Sequence, residues 1–521
     1  MTDRSIAAKM GIAALIVSGG VLLSRILGQV RDVVFAAMLG ASSTTDQYVA
    51  AFALPDFLNY LLAGGFLAIT FIPIFSKYLA DDDEAGGWAA LTAIMRPIAL
   101  GIVGLVVVGW VAAPMVIERL FPDFDAVEAA ATVRFTRIVL PAQIFFVLGG
   151  LFTAVQYAKN VFTIPSLAPI VYNLGIIAGG VGYAAVTGEP DPEGFVWGAL
   201  AGAFVGNFAL QWWGARRVGM RLVGGTDVRH PALRQYVVIA LPLMLGQSIV
   251  VLDETFMRVF GNLVGDGVQT QLQYARRTMF VPVGVIAQAA GVAAYPFLAR
   301  LFAEGKTTEM ADTVDRALRY VLVISVAAAA LLAATTVPVI RALFQRAAFG
   351  AGDTVASAQA LFFYAFAIPV WGALQVLSRA FYAKRKMWTP VVIGTIATVG
   401  AVPLYFALQR TNGLRGVAVA STLALTAYTL ALAVQWYRDL EPGRIRRVLD
   451  PAARSVPLAV AGGAAATLVA AGVEGALGDG FVATVVAVGL AAAGFGATYL
   501  LTGRMLLPLV TRRATADASA E

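Results

Sequence analysis

The sequence predicts an all-α polytopic membrane protein: about fourteen transmembrane helices, in two parallel six-helix repeats followed by two further helices. Three observations predict it. The 521 residues are 59% hydrophobic and only 13% charged, with a mean hydropathy of +0.78; that is about half the charged fraction of an ordinary soluble domain. Apolar runs of about 20 residues recur from end to end, each long enough to cross a bilayer. The remaining charge falls between those runs in alternation. A transmembrane β-barrel would show shorter segments alternating apolar and polar residues, which these are not.

In chain order the runs are 11–37, 48–78, 91–113, 133–158, 163–186, 194–213, 234–261, 269–302, 316–344, 355–383, 388–408, 414–437, 455–473 and 480–509. Pro141, Pro242, Pro282 and Pro369 fall inside runs and read as kinks, which membrane helices tolerate when neighbouring groups re-satisfy the freed backbone. Numbering the loops alternately from an inside N-terminus puts Lys77, Lys159, Arg216, Arg217, Arg221, Arg300, Lys306, Arg316, Lys384, Arg385, Lys386, Arg438, Arg444, Arg446 and Arg447 on one side. The other side receives TGEPDPEG (187–194), VGDG (264–267) and EGALGDG (474–480). By the positive-inside rule both termini are cytoplasmic and the span number is even. The acidic run DDDE (81–84) is the one inside exception, and acidic residues carry little weight in that rule.

Composition also excludes functions. The chain has no cysteine and one histidine, His230, so disulfides, thiolate chemistry and histidine-based catalysis or metal binding are not expected. The net charge of +7 follows from basic inside loops rather than from a nucleic-acid partner. The first apolar run is too long for a cleavable signal peptide. No cofactor, metal or enzymatic activity is expected.

An internal repeat is legible. YAKNVFTIP (157–165) matches YAKRKMWTP (382–390), and PIFSKYLA (73–80) matches PFLARLFA (296–303), at offsets of 225 and 223 residues. Two matches at nearly one offset predict a duplicated six-helix unit. The expected division is an N-lobe over 1–220, a C-lobe over 221–440, two added helices over 441–510 and a disordered tail over 511–521. Parallel repeats of this kind are a transporter architecture with the substrate site between the halves.

The first run carries charges that need explaining. LLSRILGQVRDVVFAAMLG (22–40) holds Arg25, Arg31 and Asp32. A lone arginine at the bilayer centre costs about 2.5–3.5 kcal/mol on insertion scales. Arg25 and Asp32 are two helical turns apart and share a face; Ser24, Gly28 and Arg31 form a second small, polar stripe. Further polar residues sit in matching runs: Asp56 and Asn59 in the second, Asp253, Glu254 and Arg258 in the seventh, and Arg276 and Arg277 in the eighth. Concentrated there, they predict a cationic cavity suited to phosphate. Ion pairing within or between helices would account for the same residues without transport. Arg379 and residues 384–386 read equally as snorkelling cations or as substrate contacts.

With these residues on the page, the chain resembles the MurJ/MviN lipid II flippases of the multidrug/oligosaccharidyl-lipid/polysaccharide exporter superfamily. The resemblance is carried by SRILGQVRD (24–32) with Asp46, by ALPDFLNYLLAGGFLAITFIPIFSKY (53–78) and LFTAVQYAKNVFTIPSLAPIVYNLGII (151–177), and by LQYARRTMFVPVGVIAQAAGVAAYPFLAR (272–300), LFQRAAFGAGDT (343–354) and LSRAFYAKRKMWTP (377–390). It implies two six-helix lobes in a V around a central cavity, with two C-terminal helices forming a lipid groove. It implies transfer of the undecaprenyl-pyrophosphate-linked peptidoglycan precursor to the outer leaflet by alternating access, in a bacterial plasma membrane, by a monomer whose partners are that precursor and membrane lipids.

The family's cavity residues fall on Arg25, Arg31, Asp32, Asp46 and Arg277, with Asn59 at a second-helix position. Asp253, Glu254, Arg258 and Arg276 are candidate cavity or coupling groups. The sequence also departs from the family pattern. Asn59, Tyr60 and Gly64 replace an arginine pair and an acidic residue, while Met257, Ala401 and Tyr405 stand where a sodium site is expected. Sodium coupling is therefore not implied; a proton or the membrane potential stays open as the drive. A flippase of the same fold for another polyprenyl-linked oligosaccharide is the nearest alternative. A drug/cation antiporter is disfavoured by the cationic cavity.

Overall fold

The computed structural model describes residues 3–62, 66–223 and 230–517. Helices occupy every predicted run, and no strand occurs among the described residues. α1 is Asp3–Leu39; the second run is broken into α2 (Ser43–Ala51), α3 (Ala53–Leu62) and α4 (Phe66–Ala80); α5 is Glu84–Leu120. α6 (Ala126–Val139) and α7 (Ala142–Ala158) form the fourth run, α8 (Thr163–Thr187) the fifth, and α9 (Pro192–Gly202), a π-helical turn (Ala203–Ala209) and α10 (Leu210–Arg217) the sixth. Then come α11 (Pro231–Asn262), α12 (Val268–Ala303), α13 (Thr307–Ala334), α14 (Thr336–Phe344), α15 (Ala351–Ala365), α16 (Ala367–Ala383), α17 (Trp388–Tyr437), α18 (Arg444–Leu477) and α19 (Phe481–Asp517). α17 covers two predicted runs and bends at Gly413, whose backbone is non-helical (φ 54°, ψ −132°). α19 continues to Asp517, through most of the segment expected as a disordered tail; its Arg and Ala residues are strong helix formers.

Among the described residues, eight helices are long and apolar enough to cross a membrane, or nine if α15 and α16, bent by 44°, count as one. Local chemistry explains the boundaries. The acidic run 81–84 starts a helix: Asp83 accepts from the Gly86 N–H at 2.8 Å, and Glu84 pairs with Lys159 at 2.7 Å. Asp125 caps α6 by accepting from the Val127 and Glu128 N–H groups, each at 2.8 Å, while Glu128 accepts from the Asp125 N–H at 3.0 Å, a reciprocal capping box. Pro141 stands at the break between α6 and α7. In the π-helical turn Gln211 donates to the Gly206 carbonyl at 3.2 Å, meeting an acceptor of the widened turn.

The repeat is written in the backbone as well as in the side chains. α7 and α16 each have 17 residues and start 225 positions apart; α5 and α13 start 223 apart. Left-handed residues recur at the same offsets. Asp82 (φ 55°) answers Gly305 (φ 72°), Asn160 (φ 59°) answers Arg385 (φ 58°), and Gly188 (φ 88°) answers Gly413 (φ 54°). Such turns cost energy for residues other than glycine, so their recurrence fixes the register of the duplication.

Two compact units result: Met1–Thr270 with Arg346–Phe349, and Gln271–Gln345 with Gly350–Glu521. The division thus falls at 270/271 rather than at the expected 220/221. The reason is α11, whose Ala232, Tyr236 and Ala240 join the first unit's core of Phe71, Phe75, Trp88, Leu91, Leu151 and Phe152. In the second unit α18 is tied to α13 and α14 by charge. Arg444 pairs with Asp312 and Asp315, Asp315 also accepts from Tyr437 Oη at 2.7 Å, and Arg341 pairs with Glu474 at 2.6 Å. Ala466, Ala470, Ala491 and Phe495 close the seam between α18 and α19.

Glycines allow α8 and α9 to cross closely. A Cβ on Gly179 would fall 2.4 Å from Gly198 Cα, and one on Gly198 would fall 2.5 Å from the Gly175 carbonyl oxygen. Gly198→Val is therefore expected to force α8 and α9 apart at a cost of about 1–3 kcal/mol. The measurement is the thermal midpoint in detergent by fluorescence-detected gel filtration; an unchanged midpoint would contradict this crossing.

Candidate functional site

The first unit gathers three charged groups. The first lies where α1 packs on α8. The stripe foreseen on α1 faces α8: a Cβ on Gly20 would sit 2.7 Å from Ser166 Cβ, and one on Gly28 would sit 3.7 Å from Asn173 Oδ1. Arg31 donates to Asp32 Oδ1 through Nε at 3.1 Å and Nη2 at 2.9 Å, and through Nη1 to Asn173 Oδ1 at 3.1 Å. Asn173 Nδ2 donates in turn to the carbonyls of Pro169 at 2.9 Å and Ser24 at 3.4 Å. Those two bonds fix the amide so that its oxygen meets the guanidinium. Tyr48 and Tyr172 stand within electrostatic reach of Arg31. Asp32 is buried, the Arg31 side chain keeps 20% of its surface exposed, and Arg25 is exposed.

The second group joins α3 to α11. Arg258, 2% exposed, lies 2.6 Å from Asp56 Oδ2 and 2.8 Å from Glu254 Oε1. A buried cation between two carboxylates specifies which helices meet here, because removing either partner strands a charge. Asn59 is half-buried on α3, one turn after Asp56, and Asp253 is half-buried on α11. The Tyr60 side chain and Gly64 lie outside the described residues.

The third group is Asp46, 2% exposed. Its Oδ1 accepts from the Thr270 N–H at 2.8 Å and the Thr270 hydroxyl at 2.6 Å, with backbone bonds from Gly267 and Gln269 as well. The carboxylate therefore caps the start of α12, where the first N–H groups lack helical partners. Burial pushes this carboxyl up to about 7, while the Thr270, Gln269 and Gly267 donors pull the other way. Gly267 (φ 78°) allows the approach, since a Cβ there would meet the Ala41 carbonyl oxygen at 2.7 Å.

In the second unit, α12 carries Arg276 and Arg277. Arg276 is 5% exposed, with its guanidinium carbon 5.4 Å from the Phe280 ring centre; Arg277 is half-buried. Met257 and Tyr405, at positions where the resemblance led a sodium site to be expected, are each fully buried, and Ala401 is 5% exposed.

So the structure joins Arg31 to Asp32 and joins Arg258 to Asp56 and Glu254. It places Asp46 as a helix cap. Sequence reading missed Asn173, although the signal was present: a lone amide in the apolar α8, one turn after Pro169 and on the face that meets α1.

A family model described as lipid II flippase MurJ matches residues 35–500. Arg25, Arg31 and Asp32 precede that span, so their assignment stands on their geometry. A probable lipid II flippase MurJ of Rhizobium meliloti (strain 1021) is 26% identical over 438 residues, 81% of each chain. The lipid II flippase MurJ of Burkholderia cenocepacia is 28% identical over 389 residues, 73% of this chain and 75% of that one. The solved structure of a lipid II flippase MurJ in an inward closed conformation superposes with a TM-score of 0.74 at 20% identity, over 95% of this chain and 100% of that chain. An inward-facing multidrug resistance MATE family transporter of the MOP superfamily gives 0.63 at 15% identity, over 82% of this chain and 95% of that chain. These two likenesses show the fold.

The cap at Asp46 yields a direct expectation. Asp46→Ala leaves buried N–H groups of α12 unmet and is expected to lower stability by about 1–3 kcal/mol. Asp46→Asn, which keeps an acceptor, is expected to lose less. Thermal melts of both variants in detergent check this; equal midpoints for wild type and Asp46→Ala would contradict the cap.

Proposed function

Since the chain belongs to the MurJ lipid II flippase family, we propose that it carries undecaprenyl-pyrophosphate-linked peptidoglycan precursor from the inner to the outer leaflet of a bacterial plasma membrane, by alternating access. The family match over residues 35–500 carries this reading, and the chemistry of α1 supports it. A guanidinium presents a planar fork that fits two phosphate oxygens at once. Arg31 already spends that fork on Asp32 and Asn173. A pyrophosphate, with more charge than one carboxylate, competes for it and leaves Asn173 to hold the side chain in place. Arg25, exposed two turns from Asp32, and Arg277 on α12 are the further cations of this reading. Asp46 sets the start of α12 and is the outer acidic residue of this reading.

The charged loops support a topology with both termini cytoplasmic. The chain acts as a carrier: no covalent step is required, only differential binding of one ligand in two conformations. Asn59 and Tyr60, in place of arginines, favour as a second reading a different polyprenyl-linked oligosaccharide on the same pyrophosphate.

The test is complementation in a bacterium depleted of its own lipid II flippase, read by growth and by surface-exposed lipid II. Rescue is expected for the wild type and lost in Arg31→Ala. The Arg31→Glu, Arg277→Glu double variant is expected to be present in the membrane and inactive; normal rescue by it would sink the arginine assignment. Failure of the wild type, with protein present in the membrane, would favour the second reading.

A further inference from the structure

α7 and α16 are copies, yet they differ at one position in a way that packing does not ask for. LFTAVQYAKN (151–160) aligns with VLSRAFYAKR (376–385), a register fixed by the left-handed pair Asn160 and Arg385. At the fourth place Ala154, fully buried, is answered by Arg379.

In the first copy the amide donors are met by neighbouring acceptors, although Gln156 Oε1 is buried without a partner. Gln156 donates to Gln211 Oε1 at 3.0 Å and to the Gln211 carbonyl at 3.2 Å, and Thr153 donates to Gln211 at 3.2 Å. The second copy discards that network: Phe381 stands in place of Gln156 and packs on Trp436, ring centres 5.5 Å apart. In this more apolar setting Arg379 is half-buried and its Nη1 is buried with no hydrogen-bond partner. Leaving a charged donor unmet in a membrane helix is costly, because neither hydrocarbon nor water satisfies it. Snorkelling does not explain it, because a snorkelling arginine places its head in water, whereas this nitrogen is enclosed. Nor is it needed as a topological charge, since Lys384, Arg385 and Lys386 follow immediately. Tyr382 lies within electrostatic reach of the guanidinium, and the neighbouring Ser378 is hydrogen-bonded to Tyr428. Hydroxyl groups of this kind complete the coordination of an oxyanion.

We infer that Arg379 is an anion-binding residue of the second unit, its enclosed Nη1 serving the phosphate or pyrophosphate group of a membrane lipid. Under the flippase reading above, on which this identification rests, the group is the pyrophosphate of the carried lipid; the other source of the same chemistry is the headgroup of a surrounding anionic phospholipid.

The first copy also supplies the control. Because this helix accepts alanine at the equivalent place, Arg379→Ala should fold. Full-length wild type, Arg379→Ala and Arg379→Lys would be placed in phosphatidylcholine nanodiscs, with and without phosphatidylglycerol, and titrated with undecaprenyl pyrophosphate. The ligand-free thermal midpoint of Arg379→Ala is expected to be no lower than wild type, while its affinity for undecaprenyl pyrophosphate falls about tenfold, the loss of one charge-assisted contact. Arg379→Lys, a point charge without the fork, should fall between.

If only the shift given by phosphatidylglycerol is lost in Arg379→Ala, the site holds and belongs to the surrounding phospholipid. Unchanged response to both lipids, or a lower ligand-free midpoint with unchanged affinity, would overturn the inference and leave Arg379 a packing residue. Absence of undecaprenyl pyrophosphate binding to the wild type would count against the flippase reading alone, with the phosphatidylglycerol arm still deciding Arg379. If neither lipid affects the wild type, the anion site itself is refuted.

Discussion

A charge inside a bilayer must be paired, wetted or reserved for a ligand, since hydrocarbon offers it nothing. Much of this structure follows from how its arginines meet that demand. Arg258 draws Asp56 and Glu254 together, so α11 packs with α3 in the first unit although its sequence position suggests the second. Arg444 meets Asp312 and Asp315, and Arg341 meets Glu474, so α18 is bound to the second unit near both of its ends. Each pair is weak evidence of net stability, because desolvation offsets much of the attraction. Each is strong evidence of specificity, because any other packing would strand a charge.

The duplication shows which features of a membrane lobe are geometrical and which are chemical. Left-handed residues recur at equivalent places in both copies, because helix lengths and turns must match for a lobe to close. Polar contents do not recur. A glutamine network fills one copy of the α7/α16 helix, and an aromatic pair beside a guanidinium whose Nη1 has no partner fills the other.

At α1 the pairing has a further consequence. Arg31 is bound to Asp32 and Asn173, so under the proposed flippase reading an incoming anion would displace a carboxylate rather than fill a vacancy. The gain on binding is then a difference between two charged partners, smaller than the full attraction. Modest net affinity suits a carrier, which must release what it binds.

The sequence by itself determined the fold class, the helical runs, the repeat and its offset, and the identity of the charges that membrane burial makes expensive. These are local or periodic properties: apolar length, loop charge and exact spacing need no knowledge of neighbours. Arg31 and Arg258 could be singled out because a charge in an apolar run stands out from its surroundings. Tertiary structure alone decided the partners. It gave Arg31 the amide of Asn173, 142 residues away, set Asp46 against Thr270 at the start of α12, and moved α11 into the first unit. It also showed that Arg379 Nη1 has no partner. Pairing across helices depends on which faces meet, and faces that meet are set by the packing of the whole chain rather than by any stretch of it.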